Sequence, residues 1–132
     1  MAGVTADASA VLDELKALEP LFHRRERGTS RADFEVMTAP DFWEVGASGA
    51  RYDREHVWSV LEQRFAQPGP DEWEIGGWEA DDFACRPLGG DTYLLTYLLR
   101  QGARVTRRAT IWERAPRGWR AVYHQGTEAA QG

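Results

Sequence analysis

The hydrophobic pattern changes period once, at Pro68-Gly69-Pro70, and this change limits the possible folds more than any other feature. Before it, apolar residues recur at three- and four-residue spacing. After it, they alternate. The first period places one stripe on a helix and the second places one face on a strand. Helices that come first and strands that come last make an α+β domain, with the helices packed on one face of an antiparallel sheet.

The helical half divides at its breakers. Val11, Leu12, Leu15 and Leu18 predict a helix over Ser9–Glu19, with Asp13, Glu14 and Lys16 on the other side. Pro20 lacks the N–H that would continue it, so the helix kinks or restarts there. Residues 1–8 read as a loose leader and Glu128–Gly132 as a loose tail, since neither is periodic. Ser30, with Asp33 three residues on, predicts a capped short helix that buries Phe34 and Met37 and stops before Pro40. A short strand follows at Asp41–Gly46, then a turn over Gly46–Gly49. A helix capped by Asp53 then spans Arg54–Ala66, with Val57, Trp58, Val60, Leu61 and Phe65 inward.

Four strands are expected in the second half, at Trp73–Cys85, Thr92–Gln101, Val105–Arg114 and Trp119–Thr127. Gly76-Gly77 marks a bulge or bend in the first. A two-residue turn at Gly102-Ala103 sets Tyr97 opposite Arg108 and Tyr93 opposite Trp112. A loop over 115–118 sets Trp112 opposite Ala121 and Thr110 opposite Tyr123. One face then collects Tyr93, Leu95, Tyr97, Arg108, Thr110, Trp112, Tyr123 and Gln125. The other collects Leu94, Thr96, Leu98, Ala109, Ile111, Val122 and His124. A one-residue slip would exchange faces. Both faces are rich in apolar residues, whereas a half-solvated antiparallel sheet shows one polar face. The helices cover one face, and a second copy of the chain is the simplest cover for the other.

Composition excludes several classes. With 132 residues the chain is one domain, 1–132, large enough to bury roughly two-thirds of its unfolded surface. No apolar run reaches 18 residues, so no membrane span is expected. The start lacks the basic and apolar regions of a signal peptide. A single cysteine, Cys85, forbids an internal disulfide, and a reducing, cytoplasmic location is the default expectation. A net charge of −5 argues against nucleic-acid binding. Within 104–120, however, six arginines face Glu113 alone. That strip either meets an anion or is an ion-paired surface. No Walker A, GxGxxG or GxSxG pattern occurs, so no cofactor is expected. His23, His56 and His124 lie far apart in sequence and Cys85 has no partner thiol, so no metal site is expected.

The element order also resembles the nuclear transport factor 2-like (SnoaL-like) fold of small bacterial domains of unknown function. Two segments carry the likeness. Asp41-Phe42-Trp43-Glu44-Val45, with Gly49 and the helix cap Asp53, is similar to the first strand and third helix of those proteins. Gly118-Trp119 leading to Val122-Tyr123-His124-Gln125-Gly126-Thr127 is similar to their last strand. The likeness spans about residues 9–127. It implies a cone-shaped, cystatin-like fold, a homodimer joined through the sheet, and a pocket between sheet and helices. Members include isomerases, cyclases, dehydratases, epoxide hydrolases and binders without catalytic activity, so the fold selects no activity. None of their catalytic constellations can be laid onto this chain residue by residue.

The candidate residues are therefore argued one by one. Glu44 stands in an apolar strand, where desolvation would make it a general acid or base; turned outward or paired with an arginine, it is structural. His124 is either a pocket base or a core histidine held by one hydrogen bond. Arg108 would bind a carboxylate or enolate, or else stack on Tyr97. Trp43, Tyr97, Trp112 and Tyr123 would line an aromatic pocket, or else serve packing. Three functions follow: a binder of a small organic ligand, an enzyme using Glu44 or His124, or a protein-interaction module. The enzyme reading requires Glu44 and His124 to enter one cavity.

Overall fold

The computed structural model describes residues 2–70 and 72–130, and their side chains except those of 2–8, 72 and 73. Helix α1 runs over Ala2–Lys16. It thus includes most of the expected leader and ends before Glu19. The N–H groups of Leu18 and Glu19 turn back to the carbonyls of Leu15 and Lys16, at 3.0 and 3.4 Å. Pro20, joined to Glu19 by a cis bond, stops the helix rather than kinking it. Helix α2 spans Arg31–Met37, with the reciprocal Ser30–Asp33 capping box in place and Phe34 and Met37 buried. Helix α3 covers Arg54–Ala66, capped by the Asp53 side chain on the His56 N–H.

The strands are β1 (Thr38–Val45), β2 (Arg51–Asp53), β3 (Glu79–Gly89), β4 (Thr92–Gln101), β5 (Arg104–Ala115) and β6 (Gly118–Glu128), in the order β2-β1-β6-β5-β4-β3. The α+β class and the helix-then-sheet layering hold. The sheet is mixed rather than wholly antiparallel, because β1 lies parallel to β6. Strand β1 starts at Thr38, three residues before its expected start, and Pro40 falls where its register against β6 shifts. The hairpin β1–β2 was not expected. A three-residue strand with one apolar side chain, Tyr52, is too short to show alternation. Residues 72–76 form helix α4 (Glu72–Gly76), not the start of a strand. Gly76-Gly77 is therefore a helix end, with Gly77 at φ 70°. The irregularity of β3 lies further on, at Asp82, whose φ is 57°.

The β4–β5 register is the one expected, with Tyr97 opposite Arg108 and Tyr93 opposite Trp112. Between β5 and β6 the expected pairing of Trp112 with Ala121 also holds, although the turn tightens to Pro116-Arg117. Beyond that pair the register slips. Val122 is an extra residue, so Ile111 faces Tyr123 and Thr110 faces His124. This bulge corrects the expected pairing of Thr110 with Tyr123, and it exchanges the faces of everything beyond it in β6. His124 joins Leu95, Tyr97, Arg108, Thr110 and Trp112 on the helix side. Tyr123 and Gln125 move to the outer face.

The core fills the space between helices and sheet. Val11, Leu15, Leu21, Phe34, Phe42, Trp58, Leu61, Leu95, Leu99 and Trp112 are buried there. Val60 of α3, expected inward, is 45% exposed. Among the described residues, Glu19, Thr38, Thr106, Thr110 and His124 are buried polar groups, and Glu19 is the carboxylate among them. Glu19, 1% exposed, accepts hydrogen bonds from the Leu21 N–H (2.8 Å), the Tyr97 hydroxyl (2.7 Å) and the Trp112 indole N–H (3.0 Å). Burial and the Glu19 carboxylate push the Tyr97 phenol far above its ordinary range, so it keeps its proton and donates. Among the described residues no helix is long and apolar enough to cross a membrane.

Candidate functional site

Sheet register builds the floor of the site. Tyr52 of β2 stands opposite Glu44 of β1, Glu44 opposite His124 of β6, and His124 opposite Thr110 of β5. Cross-strand partners share a face, so these four form one row under the helices. Phe42, two residues before Glu44 on the same face, is buried in the core. Glu44 is thus the first position of that face to leave the packed interior.

A cavity of about 210 Å³ opens over this row. Glu44, Tyr52, His124 and Arg108 form its floor. Val57, Leu61, Val60, His56 and Arg64 of α3 form one wall. His56, Val60 and Arg64 recur every four residues and so lie along one line of the helix, which explains why Val60 is exposed. The turn after Pro20 supplies the remaining wall, Leu21, Phe22 and His23. Phe22 adopts φ 69°, a left-handed backbone conformation that a bulky residue rarely takes. It places the ring against Phe34 and Phe42, with centroids 5.4 and 5.7 Å apart. The strain, about 1–3 kcal/mol, is borne at the cavity wall.

Burial in this setting decides the protonation states. His23 Nδ1 lies 3.2 Å from a guanidinium nitrogen of Arg64. Arginine can only donate, so Nδ1 accepts and the proton sits on Nε2. Burial, reinforced by Arg64, holds His23 down at about 2. His124 is 6% exposed, and burial followed by repulsion from Arg108 lowers it to about 3. Its Nδ1 meets the Thr110 hydroxyl at 2.7 Å, which leaves Nε2 as the nitrogen for the cavity. Burial moves Glu44 the opposite way, above the usual carboxylate range, against the partial relief of Arg108, Arg64 and His56. Its carboxyl group makes no hydrogen bond or ion pair among the described residues. Arg108 donates from Nε to Thr106 Oγ1 at 3.1 Å, and its guanidinium lies over Gly126.

The candidate residues separate accordingly. Glu44, His124 and Arg108 come together on the cavity floor. Tyr97 and Trp112 do not line the cavity; they are buried beside it and hold Glu19. Trp43 and Tyr123 are on the opposite face of the sheet, where their rings meet at 4.4 Å and Arg51 covers Trp43 at 4.3 Å. The Val122 bulge is the reason for Tyr123, and strand alternation next to Glu44 is the reason for Trp43. The arginine strip disperses in the same way. Arg104, Arg107, Arg114 and Arg120 pair with Glu128, Asp82, Glu14 and Glu113 on the surface, and Arg108 turns inward. The three histidines do meet around one cavity. Among the described residues, however, no three His, Cys, Asp or Glu side chains are placed to hold a metal ion.

These shifts set the pH dependence of stability. His23 and His124 must stay uncharged in the fold, whereas in the unfolded chain they protonate near 6.5. The protein therefore loses stability as pH falls below that value. Glu44 acts in the opposite sense. Its folded value lies above its unfolded one, so stability is lost as pH rises through the ordinary carboxylate range toward the folded value. Glu44→Gln removes that loss. Melting curves should show the variant more stable than the parent at pH 8 and equal to it near pH 4. A variant less stable at pH 8 would mean that the carboxylate has a partner and is structural.

No family model matches the sequence, and no curated protein matches it. Solved structures do. A DUF3225-family protein of unknown function from Pectobacterium atrosepticum matches with 18% identity and a TM-score of 0.64, over 92% of each chain. An NTF2-like protein from Cytophaga hutchinsonii matches with 14% identity and a TM-score of 0.65, over 92% of this chain and 97% of its own. An uncharacterised protein with a cystatin-like fold from Caulobacter vibrioides matches with 15% identity and a TM-score of 0.65, over 89% of each. The chain has the NTF2-like, cystatin-like fold that Asp41–Val45 and the last strand resembled.

Proposed function

We propose that the protein binds a small organic molecule in the cavity between α3 and the sheet. The observation that carries this reading is the cavity itself, about 210 Å³, in which Glu44, His124 and Arg108 converge on the floor beneath the apolar side chains of Phe22, Val57 and Leu61. Convergent polar groups set among apolar walls are what a small-molecule site presents. At about 210 Å³ the cavity falls between the ~150 Å³ that accommodates benzene and the ~300 Å³ at which drug-sized sites begin. The ligand is thus about the size of one substituted ring. A second copy of the chain on the outer sheet face completes the assembly; it leaves this cavity on the opposite side of the sheet.

A second reading is favoured by one pairing. Glu44 and His124 are direct cross-strand neighbours with their protonation shifted in opposite directions. A carboxyl group whose hold on its proton is strengthened by burial, next to an imidazole that stays neutral, is an acid/base pair suited to isomerisation or dehydration.

Native mass spectrometry of freshly purified protein, followed by denaturation and small-molecule analysis, tests the first reading. A discrete adduct of ring-sized mass is expected. Protein free of adduct, and unmoved in Tm by a library of single-ring compounds, would sink it. Once the adduct is identified, turnover separates the two readings. A binder leaves the compound unchanged. An enzyme converts it and loses about 10²-fold or more of that rate in Glu44→Gln and in His124→Ala.

A further inference from the structure

We propose that Phe22 sets the size of the molecule this cavity accepts: its ring is the partition between the cavity and a second, closed chamber between α2 and α3, and it limits the occupant to one ring. The inference rests on the cavity being a ligand site and adds the residue that determines its specificity. It begins with helix α3. Val57, Leu61 and Phe65 recur every four residues and form one apolar row about 12 Å long. Val57 lines the cavity, Phe65 lines the second chamber, and Leu61 lines both. The two spaces therefore lie end to end along one helix row. Phe34 and Met37 of α2 and the turn at Gly28 close the far chamber. At about 10 Å³ it has room for one water molecule at most.

Phe22 stands at the junction. Among the described residues, it and Leu61 alone line both spaces. Its ring meets Phe34 at 5.4 Å and Phe42, edge-on, at 5.7 Å. Packing alone does not explain this placement, since Phe22 is only partly buried, unlike the two rings it touches. The left-handed backbone at φ 69° aims it there, and a bulky residue keeps that conformation only where the surrounding structure enforces it. Polarity then sets the direction of the occupant. Glu44, His124 and Arg108 lie on the floor, and Phe22, Val57 and Leu61 form the apolar end. A hydroxyl group, both donor and acceptor, meets that floor whatever the protonation of Glu44 and His124. Phe42, against which Phe22 packs, lies two residues from Glu44 on one face of β1, a separation of about 7 Å. One ring fits between the carboxyl group and the partition. A second ring in line with the first collides with Phe22.

The test compares 4-methylphenol with 4-phenylphenol, which share the hydroxyl group and differ by the second ring. Binding to the purified protein is measured by calorimetry and by Tm. The parent is expected to bind 4-methylphenol at least about tenfold more tightly than 4-phenylphenol. Phe22→Gly removes the ring and suits the left-handed backbone, and it should reverse the order, since burying an additional ring is worth about tenfold or more. Phe22→Leu retains most of the apolar contact and serves if Phe22→Gly fails to fold; its preference should move in the same direction. A parent that binds 4-phenylphenol as tightly as 4-methylphenol or more so, or variants that keep the parent's preference, would overturn the role of Phe22 and leave the cavity as a ligand site. Absence of binding of both compounds by the parent at millimolar concentration would overturn the ligand site itself and this inference with it, because an open apolar cavity of this size accepts a ring.

Discussion

Glu19→Ala is expected to lower the stability of the fold by about 3–5 kcal/mol, more than any other single polar substitution in this chain. The reason is the number of donors left behind. The Leu21 N–H, the Tyr97 hydroxyl and the Trp112 indole N–H all end on this one carboxylate, in a place closed to water. Each orphaned buried donor costs about 1–3 kcal/mol, and relaxation recovers part of the total. Glu19→Gln tests the account more sharply. The amide keeps one acceptor oxygen but turns an NH₂ group toward a donor, so about 1–3 kcal/mol should still be lost. In a Trp112→Phe background one of the three donors is already gone, and the same Glu19→Gln change should then cost less. Urea unfolding of the four proteins gives that coupling directly. Full stability in Glu19→Gln would show that the carboxylate is not what holds these donors. Function is linked to the same residue, because Leu21, Phe22 and His23 follow it and form one wall of the cavity.

Different parts of the fold were legible for different reasons. Ser30 and Asp33 announced α2 because a capping box is a local rule, and local rules survive tertiary context. The Gly102-Ala103 turn gave the β4–β5 register because a two-residue hairpin permits little else. The bulge at Val122 left no trace. Ala121-Val122-Tyr123 is a run of three apolar residues that fits either face of the strand, and no glycine or proline marks it. That single residue decided whether His124 or Tyr123 would share the helix-side face of the sheet with Arg108, so the site was misread where the fold was read well. Arg64, His56 and His23 were missed as cavity residues for another reason. On a helix, a charged residue at four-residue spacing looks like a solvated face, and only the gap between α3 and the sheet reveals that His56, Val60 and Arg64 border a cavity. The Pro20–His23 turn has no periodicity to read. Glu44 was legible because a lone carboxylate in an apolar strand segment is an exception whichever way it points.

Ile111→Glu is expected to turn a dimer into a monomer. The outer face of the sheet carries a row that is apolar across four strands: Trp43 of β1, Tyr123 of β6, Ile111 of β5 and Leu94 of β4. None of the four is fully buried within one chain, and Thr96, Leu98 and Ala109 flank them in the same state. A row of this kind reads as one half of an interface, since its residues are neither solvated polar groups nor core. A stable interface needs about 800 Å² from each partner, and a six-stranded face can supply it. Ile111 lies between Leu94 and Tyr123, so a charge there would be desolvated at the centre of the contact and, near a two-fold axis, set close to its own copy. Within the monomer the same side chain is only half-buried, so the fold should survive. Sedimentation at about 100 µM should give twice the 14.9 kDa chain mass for the parent and the single chain mass for Ile111→Glu, with unchanged circular dichroism. A parent chain that sediments as a monomer would remove the argument from the two-sided sheet. The cavity would be untouched by that result, because Glu44, His124 and Arg108 open toward α3 on the other face.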